Sequence, residues 1–217
     1  LGRDHPKGDI SLNNRYVGEY LISEILSQQS EQLANNMLKT AILDRFCAGL
    51  CRAILENEAE DAESFIRWLE TSNLFVISLD NQGIWFRYHY LFQEFLKNEL
   101  ERRFSAEEIT FLHRRASDWF AENDMLEEAV QLAVAGKDHE LAVRLVEDQR
   151  IDLLAQLNWR RIQNLLKLFP KGFVNEHASL LNLEALLFCY SFNFASLLPT
   201  LKRVEGLLAM PDQDMSK

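Results

Sequence analysis

Residues that break helices are scarce in this 217-residue sequence, which holds only eight glycines and four prolines. Tight turns draw on these residue types, so their scarcity favours a helical chain. Hydrophobic residues make up 47% and charged residues 26% of the sequence, which excludes disorder or a fibre as a description of the whole chain. The length allows one large globular domain or two small ones.

Long hydrophobic runs are also missing. The longest nearly apolar stretch, residues 180–190, contains Asn182 and Glu184 and is too short to cross a bilayer, so no membrane contact is expected. The opening residues do not have the pattern of a signal peptide, and we expect them to follow an earlier part of a longer protein. Three cysteines, an odd number, do not make a disulfide framework. A cytoplasmic location is therefore expected.

Metal-binding patterns are not found in the sequence. Cys47 and Cys51 lie four residues apart, which places both on one face of a helix, but zinc would need two further ligands. Cys189 is distant in the sequence and the five histidines are scattered. Cys47 and Cys51 are therefore interpreted as core residues, and no metal is predicted.

Catalytic patterns are not found either. The sequence has no Gly-x-Ser-x-Gly, no phosphate loop and no dinucleotide fingerprint. The acidic pairs Glu60/Asp61 and Glu127/Glu128 are interpreted as solvated helix faces, because a general acid and base need burial and opposed environments. No catalytic residue is predicted, and the chain is expected not to be an enzyme.

The first half of the chain has the pattern of a winged helix. A helix is predicted from residue 14, a second begins at Ser30, and two more short helical patterns follow. Residues 74–79 and 84–88 are rich in β-branched and aromatic side chains and flank a loop that contains glycine, which predicts a β-hairpin. Three short helices followed by a hairpin is the order of a winged helix.

Charge argues against DNA binding by this winged helix. Lys and Arg number 23 against 33 Asp and Glu, a formal net charge of −10. Residues 55–72, which would form the recognition helix, contain six acidic side chains and one basic side chain, Arg67. Phosphates repel such a helix. We expect no direct nucleic acid binding and expect this element to pack against protein.

Residues beyond 103 are predicted to be helical throughout. Ser105 and Glu108 fit a capping box at the start of a helix. Short helices separated by short breaks then suggest helical hairpins of the tetratricopeptide type. The helix at residues 180–190 is apolar nearly all round and is expected to be covered on both sides. The last helical pair has no obvious polar cap, so we expect the protein to continue.

His89 stands where the second hairpin strand leads into the next helix. A helix N-terminus carries free N–H groups and a partial positive charge, and an imidazole there could donate to a phosphate oxygen. Composition alone favours a packed histidine at this position.

An ordered set of motifs lies at residues 38–47, 73–75, 85–92, 112–119 and 135–138. This set resembles one family, the large ATP-dependent LuxR-type transcriptional regulators, which belong to the signal-transduction ATPases and are similar to the maltose-regulon activator. The resemblance covers about residues 14–170, and beyond 170 only the helical-repeat style matches. It implies a bacterial protein whose parent has an ATPase module before this segment and a DNA-binding domain after it.

The resemblance implies a mainly α fold in which a winged helix with one small hairpin precedes a helical arm and tetratricopeptide-like hairpins. It implies the following segments: residues 1–29, the end of a helical segment after the ATPase module; 30–103, the winged helix; 104–170, the arm; and 171–217, the first sensor repeats.

The resemblance also gives His89 a function. In related switch ATPases the histidine of a Met-His-Asp motif after the wing contacts the β-phosphate of ADP. Here Tyr88 and Tyr90 flank His89, so the histidine is kept and both neighbours differ. ATP or ADP would bind the parent protein, with His89 as the phosphate contact. This segment alone, which lacks the phosphate loop, is expected to bind no cofactor.

Two functions stay open at this stage. The first is a regulatory segment that relays nucleotide state and inducer binding to self-association and transcription activation. Its partners would be the ATPase module of the same chain and an inducer or partner protein at the helical repeats. The second is a stand-alone helical-repeat adaptor without a nucleotide link. Replacing His89 by Ala in the full-length protein distinguishes them.

Overall fold

A computed structural model describes residues 24, 26–55, 59–72, 75–156 and 158–209. The chain divides into two compact units, Leu1–Leu112 and His113–Lys217. The helix predicted from residue 14 lies almost wholly outside the described residues. The four predicted segments, with boundaries after residues 29, 103 and 170, stay predictions.

The first unit has the predicted order of helices and hairpin. Its elements are α1 (Glu31–Thr40), α2 (Ala48–Leu55), α3 (Ala59–Thr71), β1 (Val76–Ser78), β2 (Phe86–Tyr88) and α4 (Tyr90–Arg103). Helix α1 begins after Ser30, whose hydroxyl oxygen accepts a hydrogen bond from the Leu33 N–H at 3.3 Å. The sequence pattern correctly located this N-cap.

The predicted hairpin is present, but its strands are shorter than predicted. The strands are antiparallel, with Val76 opposite Tyr88 and Ser78 opposite Phe86. One further backbone bond, from the Leu79 N–H to the Trp85 carbonyl at 2.8 Å, continues the pairing. Beyond it the Asp80 carboxylate accepts the backbone N–H groups of Ile84 and Trp85, at 3.0 and 2.8 Å, so the chain forms a loop there. The loop therefore takes residues that the β-branched pattern had assigned to a strand.

Phe46 adds a backbone pairing that the sequence did not predict. Its N–H donates to the Phe86 carbonyl at 2.8 Å, and the Phe86 N–H donates back at 2.9 Å. The Phe46 and Tyr88 rings lie 4.8 Å apart, and Tyr88 meets Phe92 edge-on at 5.6 Å. These buried rings join the hairpin to the helices, and each contributes a large apolar area to the core. Cys47 and Cys51 are buried in the same unit, as predicted.

The remaining helices follow the predicted rhythm. They are α5 (Ala106–Glu122), α6 (Leu126–Ala135), α7 (His139–Asp148), α8 (Arg150–Ala155), α9 (Trp159–Leu168), a 3₁₀ turn (Phe173–Glu176), α10 (Ala178–Tyr190) and α11 (Phe194–Ala209). The capping box at α5 is confirmed, because the Ser105 N–H donates to Glu108 Oε2 at 2.7 Å and the Glu108 N–H donates to Ser105 Oγ at 3.2 Å.

Consecutive helices pack as pairs in the second unit, α6 on α7 and α10 on α11, with α9 also against α10. The pairs agree with the predicted helical hairpins, and the tetratricopeptide-like nature of the repeat stays a prediction. Gly136 allows a close approach here, since a Cβ at this position would lie 2.7 Å from the Cβ of His113. None of the described helices is long and apolar enough to cross a membrane.

The expectation that α10 is covered on both sides is wrong. Leu180 and Leu183 are buried, but Leu186 is 38% exposed and Tyr190 is 59% exposed. The neighbouring helices bury the N-terminal half of α10, and in the described part of the chain they leave one side of its C-terminal half to solvent. The all-round apolar sequence therefore produces an exposed apolar surface instead of a buried core helix.

Candidate functional site at the hairpin–helix junction

His89 lies at the junction of β2 and α4, where the sequence placed it. Its backbone N–H donates to the Phe75 carbonyl at 2.6 Å, and its carbonyl accepts the Gln93 N–H at 2.9 Å. It is the N-cap residue of α4, and its side chain makes no capping hydrogen bond and is exposed. The interpretation of His89 as a packed histidine is therefore wrong, because the backbone bonds hold the residue while the imidazole faces solvent.

Two neighbours of His89 anchor the junction to the end of α1. Tyr88 is buried, and its hydroxyl shares a 2.8 Å hydrogen bond with the Thr40 hydroxyl. Gln93, one turn into α4, donates through its amide to the carbonyls of Ala41 and Leu43, at 3.0 and 2.8 Å. The Gln93 amide thereby satisfies two backbone carbonyls in the segment just after α1. His89 therefore projects from a rigid base.

Exposed apolar side chains surround this junction. Tyr90 and Leu91 are each 61% exposed, and Phe75 is 50% exposed. Phe75 has φ of 50°, in the left-handed region that a bulky residue rarely adopts. Its carbonyl thereby meets the His89 N–H while its ring stays 5.4 Å from Phe92. The sequence pattern placed Phe75 in a strand and did not predict its left-handed backbone, since no glycine or asparagine stands at this position.

The loop of the hairpin is organised by one carboxylate. Asp80 accepts backbone hydrogen bonds from Gln82, Ile84 and Trp85. The bond from the Ile84 N–H, supported by the others, lowers the pKa of Asp80. From the segment between α1 and α2, the Arg45 guanidinium lies 4.3 Å from the centre of the Trp85 ring of the wing. Local hydrogen bonds and the cation–π contact between Arg45 and Trp85 therefore stabilise the wing.

Helix α3, at the position of a recognition helix, is acidic where its side chains are described. Glu63 and Glu70 are exposed on it, and Glu63 lies 3.8 Å from Arg52 of α2. Arg67 is the single basic residue of the helix. This surface charge is unfavourable for a phosphate-lined groove.

In the second unit, Glu127 departs from the prediction of a solvated acidic face. It is partly buried on α6 and accepts two hydrogen bonds from Arg161 of α9. Burial alone would raise the pKa of Glu127, but the bonds from Arg161 outweigh it and lower the pKa. The side chain fastens two helices. Among the described residues, no group of three or more His, Cys, Asp or Glu side chains is placed to hold a metal ion.

The three helices, the hairpin with its added Phe46 pairing and the anchored α4 junction together define a winged-helix domain, followed here by paired helices. The domain is of a specific kind: residues 22–108 match the MalT winged helix domain.

Similarity to known proteins extends beyond this domain. Over 164 residues the chain is 32% identical to the serine/threonine-protein kinase PknK of Mycobacterium tuberculosis, covering 76% of the chain and 14% of the kinase. It is 26% identical over 173 residues to the HTH-type transcriptional regulator MalT of Vibrio campbellii, covering 80% of the chain and 19% of that regulator. The MalT regulator of Vibrio parahaemolyticus is 25% identical over the same length.

The chain thus spans less than a fifth of the length of these curated relatives. It is distantly homologous to a segment of MalT-type transcriptional regulators, and this homology supports a regulatory role. The sequence predicted the winged helix and the position of His89 between strand and helix. No sequence pattern indicated the anchoring bonds of Tyr88 and Gln93.

Proposed function

We propose that this chain is the regulatory segment of an ATP-dependent LuxR-type transcriptional regulator of the signal-transduction ATPase class. The winged helix and the helices after it relay nucleotide state and inducer binding to self-association and transcription activation. Such a relay needs two packings of similar free energy, each favoured by a different ligand. The segment itself is no enzyme, and its parent works in the cytoplasm.

The exposure of His89 on an anchored junction is the observation that supports this proposal most directly. An imidazole that faces solvent at the start of α4 is available to an ATPase module of the same chain and to the ADP bound there. The helix N-terminus adds a partial positive charge next to it. His89 would contact a phosphate of ADP, while the helical repeats would face the inducer or a partner protein.

His89→Ala in the full-length protein tests the relay. We expect raised transcription without inducer, because the ADP-bound state loses a contact that stabilises it. The measurement is reporter activity without inducer, with protein levels checked by immunoblot. Asn98→Ala, which alters an exposed polar residue on the same helix α4, is the control and should leave the activity at the wild-type level. Unchanged basal activity in the His89 variant would refute the relay.

A second experiment uses the 217-residue segment alone. Because the phosphate loop is outside it, titration calorimetry with ADP is expected to give no measurable binding. A micromolar isotherm would contradict the assignment of nucleotide binding to another module.

The alternative is a helical-repeat adaptor that binds a protein partner and has no nucleotide link. Exposed apolar side chains on α11 favour it, with Leu198 63% and Phe194 55% exposed. Under this alternative His89→Ala changes nothing, whereas Leu198→Ser weakens partner binding.

A further inference from the structure

A cavity of about 460 Å³ opens in the second unit between α9 and α10. Its volume is in the range of pockets that take small organic ligands, roughly 300–1,000 Å³. One wall comes from α9, the opposite wall from α10 and the residues just after it, and Val174 of the 3₁₀ turn contributes to the lining.

An aromatic surface forms one part of this cavity. The rings of Trp159 and Tyr190 stack at 4.5 Å between centroids, with 28° between their planes. Leu166 and Leu187 also line the cavity. Stacked rings of this kind offer an apolar face to a further ring.

Charges of both signs line the same cavity without meeting. Helix α9 supplies Arg160 and Lys167, which are exposed, and α10 supplies Glu184, which is half-buried. No ion pair or hydrogen bond to these three side chains is found among the described residues. Burial raises the pKa of the Glu184 carboxyl, so this group has lost water without gaining a partner.

Arg161, the neighbour of Arg160 on α9, is a paired base by contrast. It donates to both carboxylate oxygens of Glu127 and also to Gln156 at 3.1 Å. Glu184 lacks such a partner although two bases line its own cavity. A ligand that carries both charges would satisfy both sides, whereas a ligand of one charge would leave the other side unmatched.

We propose that this cavity binds a free aromatic α-amino acid. The ammonium group pairs with Glu184, the carboxylate pairs with Arg160 and Lys167, and the aromatic side chain packs on Trp159 and Tyr190. Charge-assisted hydrogen bonds give the orientation, and the apolar wall selects an aromatic side chain. The inference deepens the proposed function, because it names the chemical class of the inducer.

The first test compares three ligands by titration calorimetry with the 217-residue chain. L-Phenylalanine carries both charges, 3-phenylpropionate lacks the ammonium group, and phenethylamine lacks the carboxylate. We expect L-phenylalanine to bind at least tenfold more tightly than either of the others. Equal affinities for the three compounds, or no saturable heat with millimolar L-phenylalanine, would overturn the proposal. This comparison needs no variant and so does not depend on the folding of one.

Two variants then assign the charges. Glu184→Gln should weaken L-phenylalanine about tenfold and remove its advantage over 3-phenylpropionate. Lys167→Gln should weaken it and reduce its advantage over phenethylamine. Glu140→Gln and Lys202→Gln, which change exposed residues of the same unit outside the cavity, are matched controls and should bind as the wild type does. Equal losses in variants and controls would overturn the assignment.

The calorimetry and the reporter assay distinguish failure of the proposed amino-acid site from failure of the proposed relay. Selective binding of L-phenylalanine without any change in reporter activity of the full-length protein would keep the site and refute its role as the inducer site. Raised basal activity in His89→Ala without any amino acid binding would keep the relay and refute the site.

Discussion

Asp80 shows how a single residue can organise the wing. Three backbone N–H groups converge on its carboxylate, and the bond from Ile84 contributes most to its lowered pKa. Because the pKa in the folded chain lies below that in the unfolded chain, the ionised carboxylate stabilises the hairpin above the unfolded pKa. This stabilisation is lost as the pH falls through the folded pKa.

We expect Asp80→Asn to lower the free energy of unfolding at neutral pH, since an amide offers one acceptor oxygen instead of two. The wild type should become less stable below about pH 4, near the ordinary pKa of aspartate. The variant should show a smaller decrease in stability over the same range, because it has no carboxylate at position 80 to protonate. Urea unfolding followed by tryptophan fluorescence between pH 3 and 7 measures both effects. Asp118→Asn, at an exposed position on α5, is the control, and identical pH profiles for the Asp80 variant and the wild type would contradict the argument.

Between elements, the bidentate pair of Glu127 and Arg161 connects α6 to α9. Arg161 Nε lies 2.5 Å from one carboxylate oxygen of Glu127, and its second bond measures 3.1 Å. A planar guanidinium makes two parallel bonds of this kind, which an ammonium cannot copy. Side-chain exposures of 25% for Arg161 and 39% for Glu127 leave the pair partly open to water, so its contribution to stability is modest.

A double-mutant cycle with Glu127→Gln and Arg161→Gln should give a coupling free energy of about 1 kcal/mol, the upper end for partly exposed pairs. Arg161→Lys should recover less than half of it. The measurement is urea unfolding at low and high salt. Arg52 and Glu63, more exposed and joined by one contact of 3.8 Å, form a control pair with a coupling nearer to 0.2 kcal/mol. Equal couplings for the two pairs would show that bidentate geometry adds nothing.

Elements set by local signals were predictable from the sequence, and features set by distant partners were not. Ser30 and Ser105 mark helix starts through bonds to residues three positions away. The Phe46 pairing with Phe86 and the Gln93 bond to Ala41 join segments 40 or more residues apart, and no sequence pattern indicates them.

In the candidate site, too, local features were predictable from the sequence and features set by distant partners were not. The position of His89 follows from the order of strand and helix, which is a local pattern. Its exposure depends on how Phe75 and Gln93 hold its backbone, which only the folded chain reveals. Glu184 is visible in the sequence of its helix, but that it lies in a cavity without an ion-pair partner within the described ranges is revealed only by the folded chain.

For the molecule as a whole, the net charge of −10 opposes binding to nucleic acid. We expect the 217-residue chain to leave a 30-base-pair duplex unshifted in gel electrophoresis at both 50 and 200 mM salt, because its carboxylates repel the phosphates. Reversing Glu63 and Glu70 to Lys on α3 should produce weak, salt-sensitive retardation. Retardation by the wild-type chain that disappears at the higher salt would contradict this expectation.

The three cysteine thiols differ in burial, and a labelling experiment can use this difference. Burial raises the pKa of Cys47 and Cys51 in the first unit, while Cys189 is exposed on α10. Because the thiolate is the form that reacts, a maleimide reagent consumes Cys189 on the native protein and reaches the other two only when the winged-helix unit opens. The sequence therefore contains its own site for single fluorophore attachment, and the later incorporation of two more labels measures how often that unit unfolds.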